Sequence, residues 1–262
     1  MPIDPTLSYG LSSLDLTDAV VGALRTISSC NDLTALMKAV TREMGFRYYA
    51  LVHHDDLRTP SPGCVDLRDY PPAIMERLLD RCRYRRDPVI RGCIFADSAF
   101  LWSDLPRIIQ LDRHDRASLE LGMREGLNEG ITVPYVRLGD RMGSCTFAGI
   151  CCPERAECFL GAAQMIGIFA FQAARRLLCG NLPVVPRLPR LHPRPRDCVV
   201  LAGRGYSNKR IARALSLTPR TVDGYLTEAR RLFDAHDRTE LVVSAVLAGE
   251  IGLDELRARQ PG

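Results

Sequence analysis

The sequence lacks the features of membrane and secreted proteins. No run of 18 apolar residues is present, and the longest apolar stretch, at 165–174, is interrupted by Gln172, which predicts a buried helix and not a membrane span. The first ten residues contain Asp4 and no basic side chain, so they do not form an ordinary secretory signal. We therefore expect a cytoplasmic protein that does not bind a membrane.

The sequence also has few of the groups that metal sites and enzymes require. The one cysteine cluster, Cys151, Cys152 and Cys158, has neither a nearby histidine nor a second pair to complete a zinc site. Residues 53–56 read His-His-Asp-Asp, but the next histidine is His114, so a polar strand end is preferred to a metal site. No glycine-rich phosphate loop and no nucleophile-and-base constellation is evident. We predict no metal, no cofactor and no enzymatic activity.

Lysine is scarce, since Lys38 and Lys209 are the only two in 262 residues. The receiver domain of a phosphorylation-controlled response regulator needs a lysine beside its aspartate pocket. Asp55 and Asp56, which follow the strand expected at Tyr48, resemble such a pocket only superficially. The lysine count therefore argues against a response regulator.

Positive charge is concentrated in one part of the chain, although the formal net charge is only +4. Between Arg187 and Phe233, eleven lysine or arginine residues stand against three acidic residues, a net charge of +8 that leaves about −4 for the remainder. Such asymmetry is typical of a polyanion-binding region joined to a neutral or acidic one. A solvated helical face is the alternative, and charge alone does not decide between them.

Five prolines lie between Leu182 and Pro195. Proline at this density cannot continue a helix or a sheet ladder, so a semi-rigid linker is expected. The predicted organisation is a first domain at residues 1–180, a Pro/Arg-rich linker at 181–193 and a second domain at 194–262.

In the first domain the predicted elements alternate between helices and strands. Apolar spacing predicts helices at 15–28, 32–44, 72–83, 115–124 and 154–178, and extended segments at 48–52, 100–102, 131–136 and 145–150. Asp32 is the expected N-cap of the second helix, and a turn at 139–141 would make the last two strands an antiparallel pair. This order favours an α/β domain, a mostly antiparallel sheet with helices on both faces.

The second domain is predicted to be all-α, with four short helices at 194–201, 208–215, 219–233 and 239–248. Its two middle helices have the parts of a helix-turn-helix. Ser207 and Thr218 can cap them, and Pro219 occupies a first helical position, where a missing N–H costs nothing. Apolar residues from Val222 to Leu232 form one stripe, which leaves the opposite face free to meet a DNA major groove.

From Leu191 onward the sequence resembles the C-terminal DNA-binding domain of LuxR-type regulators. The resemblance rests on Gly205, Ile211-Ala212, Thr221-Val222 and Arg238-Thr239. It implies the following candidate DNA-binding residues: Ser207, Asn208, Lys209, Arg220, Thr221, Asp223, Gly224, Tyr225, Thr227, Arg230 and Arg231.

Within this set, the family places base reading at three positions, Asp223, Gly224 and Thr227. Asp223 can accept from cytosine N4, or it can be an ordinary helix-surface acid. The other candidates are expected to contact phosphate. Pro195 stands where the family has an acidic residue, which is a departure within the first helix.

Residues 15–178 resemble the autoinducer-binding domain of the same regulators. The resemblance rests on Tyr70-Pro71, Asp87-Pro88-Val89, Trp102 and the segment EGLNEGITVP at 125–134. It implies an α-β-α sandwich that buries an N-acyl homoserine lactone. There, Asp87 would accept the ligand's amide N–H, the hydroxyls of Tyr70 and Thr146 would bond ligand carbonyls, and Trp102 would pack against the lactone. The alternatives are that Asp87 initiates a turn and that Trp102 belongs to the core.

Ile74 and Leu78 depart from the family, which has a tryptophan and a tyrosine at these positions. The tryptophan N–H normally donates to the lactone carbonyl, and isoleucine cannot donate. A buried carbonyl left unpaired loses about 1–3 kcal/mol, up to about a hundredfold in affinity. The candidate ligand-binding residues are Tyr70, Ile74, Leu78, Asp87, Trp102 and Thr146. We hypothesise a ligand other than an ordinary acyl homoserine lactone, such as a related acyl or aryl homoserine lactone or a non-lactone signal, or a pocket that needs no ligand.

These resemblances together predict a transcriptional regulator controlled by a small molecule. A homodimer would read a pseudo-palindromic operator in double-stranded DNA, with half-sites about one helical turn apart, and would act with RNA polymerase. The alternative is a ligand-independent orphan regulator of the same family, or an antagonist that acts by binding DNA or by heterodimerisation.

Overall fold

The structure is a computed structural model that describes residues 13–54, 63–79, 86–137, 141–179 and 189–257. The chain divides into two compact units, Met1–Leu182 and Pro183–Gly262. Each unit has its own hydrophobic core. Residues 181–188 of the predicted linker and 139–140 of the predicted turn lie outside the described residues.

The first unit combines helices with a single described sheet. Its helices are α1 (Ser13–Thr26), α2 (Cys30–Glu43), α3 (Pro72–Leu79), α4 (Pro88–Phe95), α5 (Leu105–Ile108), α6 (Arg113–Arg124) and α7 (Leu160–Cys179). Its strands are β1 (Tyr48–His53), β2 (Asp66–Arg68), β3 (Phe100–Leu101), β4 (Gly130–Tyr135) and β5 (Gly143–Ala148). Short 3-10 helices cover Trp102–Asp104 and Pro153–Phe159.

The five strands form an antiparallel sheet in the order β2-β1-β5-β4-β3. Residues paired directly across neighbouring strands form one row over the whole sheet, which we call the register row. It runs through Arg68, Ala50, Thr146, Thr132 and Phe100. Residues directly opposite one another in a ladder point to the same face. The row therefore defines one face of the sheet from edge to edge.

The opposite face packs against α7, which runs beside β4 and β5 and also contacts α1 and α2. The side chains of Leu51, Val133, Cys145 and Phe147 alternate with the row above and join the main core. Gly167 permits the close approach of α7, because a Cβ there would lie 2.8 Å from Val133 Cγ2. The first face is covered by α4 and α6, so the sheet has helices on both sides.

One described helical stretch, Pro153–Leu178, is long and apolar enough to cross a membrane by length and composition alone. Its most apolar window is 44% buried within the structure. It includes α7, whose Ala163, Ile166 and Phe171 are fully buried in the core. The interpretation of this segment as a buried helix agrees with its packing.

The second unit is helical throughout its described residues. It contains α8 (Pro193–Gly203), α9 (Asn208–Leu215), α10 (Pro219–Leu232), α11 (Arg238–Leu247) and the short α12 (Leu253–Leu256). The first four correspond to the four predicted helices, and α12 is an additional turn that the sequence reading missed. Ile211, Val222 and Leu241 are completely buried where these helices meet.

Several features of the first unit differ from the sequence prediction. The N-cap of α2 is Ser29, whose hydroxyl accepts from the backbone N–H of Asp32 at 3.1 Å, so Asp32 is not the cap. Strand β2 and helices α4 and α5 were not predicted, and Trp102 begins a 3-10 helix although it was expected to be extended. The segment at 154–159 is a 3-10 helix that precedes α7 instead of its first turns.

Candidate functional site

The face of the sheet that carries the register row lies over a cavity of about 80 Å³. Strands β1, β2 and β5 form one wall, and α3, α4 and α6 supply residues around it. The lining is mostly apolar, but polar groups converge on it. The lining residues are Ala50, Val52, Arg68, Tyr70, Ile74, Asp87, Val89, Ile90, Trp102, Ser118, Leu119, Gly122, Leu127, Ser144 and Thr146.

Five of the six predicted ligand residues line this cavity: Tyr70, Ile74, Asp87, Trp102 and Thr146. The sixth, Leu78, is in α3, but its side chain lies outside the described residues. Ile74 is 2% exposed and packs with Leu127 and Ala148. The structure thus brings the predicted residues together, while their contact with a ligand remains a prediction.

A chain of hydrogen bonds crosses the cavity wall at its β3 side. The indole Nε1–H of Trp102 donates to Thr132 Oγ1 at 2.9 Å, and the hydroxyls of Thr132 and Thr146 lie 3.0 Å apart. An indole N–H can only donate, so Thr132 accepts from Trp102, while either hydroxyl can donate in the bond between Thr132 and Thr146. Thr146 also bonds the hydroxyl of Tyr70, so both hydroxyls stand together at the cavity wall.

Trp102 is held in place by Glu129, a residue that the sequence analysis did not single out. One carboxylate oxygen of Glu129 accepts from the backbone N–H groups of Trp102 at 2.9 Å, Ser103 at 3.3 Å and Gly130 at 2.9 Å. Gly130 lets the ring lie against the strand, since a Cβ there would be 2.7 Å from Trp102 Cε2. Only the fold reveals this arrangement, because Glu129 and Trp102 are 27 residues apart.

Asp87 both lines the cavity and caps α4. Its Oδ1 accepts from the backbone N–H groups of Val89 at 2.9 Å and Ile90 at 3.3 Å. Pro88 fits at the first position of the helix. The turn-initiating alternative and the cavity-lining role are therefore compatible.

Burial favours the protonated, uncharged forms of the Tyr70 hydroxyl and the Cys93 thiol. Desolvation raises the pKa of the Tyr70 hydroxyl, and the charge of Asp87 adds to this rise while a hydrogen bond with Thr146 opposes it. Desolvation, reinforced by Asp87, raises the pKa of the Cys93 thiol to about 12. Tyr70 is therefore a neutral hydroxyl that can donate or accept at physiological pH.

The opposite edge of the cavity contains polar groups that the sequence analysis missed. Arg68 of β2 lies at one end of the register row, and its guanidinium pairs with Asp66 through Nε and through Nη2, the latter at 2.6 Å. The hydroxyl of Ser144 lies 2.9 Å from Nε2 of His54. A short strand such as β2, in a sequence that reads VDLRDY, gives too weak a periodicity to predict.

The second unit contains the helix-turn-helix, formed by α9 and α10. Ser207 caps α9 by accepting from the N–H of Arg210 at 3.4 Å, and Thr218 caps α10 by accepting from the N–H of Thr221 at 3.1 Å. Ser216, with φ of 55°, turns the chain between the helices. The predicted caps and the proline at the first position of α10 are confirmed.

Most predicted DNA-binding side chains are accessible on one side of this motif. Ser207, Lys209, Arg220, Asp223, Gly224, Thr227 and Arg231 are exposed, and Asn208, Thr221, Tyr225 and Arg230 are partly buried. Tyr225 packs against the core of the unit, and a Cβ at Gly224 would have no described neighbour within 4 Å.

A chain of hydrogen bonds joins α9, α10 and α11 through Asn208, Asp223 and Arg238. Nη1 of Arg238 donates to Asn208 Oδ1 at 3.0 Å, and Nδ2 of Asn208 donates to Asp223 Oδ1 at 3.2 Å. Arg238 also donates to the carbonyl of Tyr206. In the free protein, Asn208 and Asp223 therefore bind each other, although the sequence analysis assigned them to phosphate and base separately.

Within the described part of the chain, no group of three or more histidine, cysteine, aspartate or glutamate side chains could hold a metal ion. Cys151, Cys152 and Cys158 are exposed free thiols. His53 ends β1 as predicted, while Asp55 and Asp56 lie outside the described residues.

Comparison with known proteins places both units in known families. Residues 29–177, more than half of the chain, match the autoinducer binding domain. Residues 190–245 match the domain of bacterial regulatory proteins of the luxR family. Both predicted resemblances are thereby confirmed.

Two relatives and one solved structure extend this result. RpaR of Rhodopseudomonas palustris, an HTH-type quorum sensing-dependent transcriptional regulator, is 32% identical over 167 residues, which cover 64% of this chain and 67% of RpaR. BjaR1 of Bradyrhizobium diazoefficiens, a transcriptional activator protein, is 28% identical over 62% of this chain and 65% of BjaR1. SdiA in complex with octanoyl-rac-glycerol shares the fold, with a TM-score of 0.56 at 16% identity over 92% of this chain and 97% of that one. The predicted fold class is confirmed.

Proposed function

The chain belongs to the LuxR family of bacterial regulatory proteins that have an autoinducer binding domain, and on this premise we propose that a small molecule held in the sheet cavity controls its binding to DNA. The observation that supports the proposal is the convergence of Tyr70, Asp87 and Thr146 on one mostly apolar cavity. A few polar groups in an apolar cavity are the usual composition of a small-molecule site.

The chemistry of these three residues suits an amide-containing ligand. The carboxylate of Asp87 accepts and can receive an amide N–H. The hydroxyl of Thr146 can donate to a carbonyl when Thr132 donates to it. We propose that this threonine supplies the main donor, because Ile74 occupies the position where the family has a donating tryptophan.

The class of ligand follows from the same substitution. A lactone carbonyl placed beside Ile74 would find no donor there, which costs about 1–3 kcal/mol. We therefore propose a ligand other than an ordinary acyl homoserine lactone, such as an aryl homoserine lactone or a related non-lactone amide. No cofactor and no catalytic step are part of this proposal.

The ligand would control DNA binding by stabilising the folded sensor domain and thereby supporting a homodimer. A ligand that binds only the folded sensor stabilises it in proportion to the logarithm of its concentration. A stabilised sensor would support a homodimer in which two copies of α10 read a pseudo-palindromic operator. We propose that this occurs in the cytoplasm, where DNA and RNA polymerase are present.

A second candidate is a ligand-independent orphan regulator, acting on DNA alone or as an antagonist through heterodimerisation. One observation favours it. The cavity of about 80 Å³ is far smaller than the roughly 300–1,000 Å³ typical of small-molecule pockets. Ligand binding would have to enlarge it, whereas an orphan regulator would keep it closed.

Thermal-shift titration combined with a DNA-binding assay separates the two candidates. The full chain is titrated with acyl and aryl homoserine lactones and with the matching amides, and operator binding is measured with and without each compound. A saturable rise in melting temperature that also changes DNA affinity supports ligand control.

DNA binding that is unaffected by every compound, with no thermal shift, would establish the orphan alternative. Strong stabilisation by a simple acyl lactone would refute the ligand class proposed from Ile74.

A further inference from the structure

Arg68 is a charged residue inside a cavity that is otherwise largely apolar. Among the described lining residues, only Arg68 and Asp87 bear formal charges. The Arg68 side chain is 13% exposed, and its partner Asp66 lies at the rim with 34% of its side chain exposed. Asp66 engages Nε and Nη2 of the guanidinium.

The third guanidinium nitrogen, Nη1, has no acceptor within hydrogen-bond distance among the residues that the structure describes, and it is shielded from solvent. A buried donor without a partner costs the full desolvation of that group. Such groups in native proteins call for an explanation, and a ligand atom is the natural one in a cavity lining.

The register of the sheet gives the position of this donor. Arg68 stands two strands away from Thr146 in the same row, through Ala50, which is roughly 10 Å at ordinary strand spacing. Trp102 lies beyond Thr146, towards the β3 edge. A ligand whose amide lies at Asp87 and Thr146 would therefore direct its tail towards Arg68.

We infer that the natural ligand has an oxygen acceptor on its tail, such as a hydroxyl, ketone or phenol, and that Nη1 of Arg68 binds this oxygen. The inference rests on the proposed ligand control of this site and specifies the tail of that ligand. The acceptor is neutral because Asp66 already balances the charge of Arg68, so an anionic tail would be desolvated without a free counter-charge.

The test compares matched probes that differ by one oxygen. The pairs are N-octanoyl and N-(8-hydroxyoctanoyl) homoserine lactone, the 4-phenylbutanoyl and 4-(4-hydroxyphenyl)butanoyl lactones, and octanamide with 8-hydroxyoctanamide. Dissociation constants are measured by calorimetry on the full chain. The oxygenated member of at least one pair should bind about tenfold more tightly, as expected for a hydrogen bond to a charged donor.

Three variants locate the effect. Arg68→Met should abolish the preference within the pair, so that both members bind the variant with the same affinity. Arg68→Lys, used in case Arg68→Met does not fold, should reduce the preference because a single ammonium cannot pair with Asp66 and reach the ligand as the guanidinium does. Asp66→Asn is the matched control: it keeps Nη1 and should keep the preference, while it improves binding of a tail that ends in a carboxylate.

The outcomes distinguish this inference from the proposed function. Equal binding of both members of every pair to the native chain would overturn the role of Arg68 and leave ligand control intact. A carboxylate tail that binds the native chain better than the hydroxyl tail would overturn the neutral class. If no probe binds while operator binding is normal, ligand control fails and the inference fails with it.

Discussion

The two edges of the cavity-facing side of the sheet differ in how their polar groups are satisfied. At the β3 edge, the indole N–H of Trp102 bonds Thr132, Thr132 bonds Thr146, and one oxygen of Glu129 accepts three backbone N–H groups. At the β2 edge, Nη1 of Arg68 is buried with no hydrogen-bond partner among the described residues, as is Nδ1 of His54, which follows β1. The polar groups named at the β3 edge have hydrogen-bond partners without a ligand, whereas Nη1 of Arg68 at the β2 edge has none among the described residues.

This difference predicts that the two edges contribute to ligand binding in different ways. Groups that already bond one another are fixed in orientation before any ligand arrives, which lowers the entropy cost of binding. Groups without partners penalise the empty state and favour a molecule that can satisfy them. The comparison can be tested by perturbing each edge separately and comparing stability with binding.

The largest effect is expected for Gly130→Ala, which breaks the β3 edge. The added Cβ would lie 2.7 Å from Trp102 Cε2 and 2.9 Å from the Phe147 carbonyl oxygen, so the ring must move away from the strand. We expect the free energy of unfolding to fall by about 1–3 kcal/mol, measured by urea denaturation. The control is Gly161→Ala, where no described atom lies within 4 Å of the added Cβ. Equal stability of the two variants would contradict the close fit of Trp102.

A pH titration probes His54, which follows β1 and bonds Ser144 of β5. Burial, together with a smaller contribution from the charge of His53, lowers the pKa of His54 to about 4. Because this folded-state pKa is below the unfolded value near 6.5, the unfolded chain binds the proton first, so stability is lost as the pH falls from 6.5 towards 4. The slope from this residue is at most about 1.4 kcal/mol per pH unit. Denaturation at pH 7 and pH 5 should show this loss in the native chain and a smaller loss in His54→Gln; identical losses would exclude His54 as the cause.

Thr132→Val should have a smaller effect at the β3 edge. It removes the acceptor of the Trp102 indole and the hydroxyl that bonds Thr146, at a cost of about 1 kcal/mol. A double-mutant cycle with Trp102→Phe, which removes the same indole N–H, measures the coupling. Additive effects of the two substitutions would show that the bond between these side chains contributes nothing.

The smallest effect is expected for Arg68→Met in the absence of a ligand. The variant loses a partly exposed ion pair with Asp66, worth about 0–1 kcal/mol, and it removes a buried donor without a partner. The two changes oppose each other, so stability should stay within about 0.5 kcal/mol of the native chain in the same denaturation assay. A loss as large as that of Thr132→Val would mean that Arg68 serves the fold and that the two edges are alike.

The sequence predicted the second unit better than the first, for a physical reason. Ser207, Thr218 and Pro219 act through their own neighbours in the chain, so capping and helix-start preferences are sufficient to place them. The sheet cavity is assembled by long-range pairing. Glu129 acts on Trp102 across 27 residues, and no local pattern reports such a contact.

The cavity residues were predicted only where a family motif marked them. Tyr70, Asp87 and Trp102 were found from the resemblance, whereas Arg68 and Ser144 were missed because no motif marks them, and Arg68 also lies in the three-residue strand β2. Helix α4 was missed because Asp87-Pro88 also starts turns, and its eight residues give little periodicity. The cap of α2 was placed three residues late, since Ser29 and Asp32 are both good capping residues.

If Asn208 and Asp223 contact DNA as predicted, the bond between them makes recognition by the second unit an exchange reaction. Oδ1 of Asp223 is already bound by an amide that Arg238 holds in turn. A base that binds this oxygen would compete with the amide, and a phosphate that binds the Asn208 amide would release the carboxylate. A matching site returns an equivalent bond for the one broken, whereas a mismatched site returns none. Discrimination then arises from the bond that is lost, without requiring an exceptionally strong contact to the correct base.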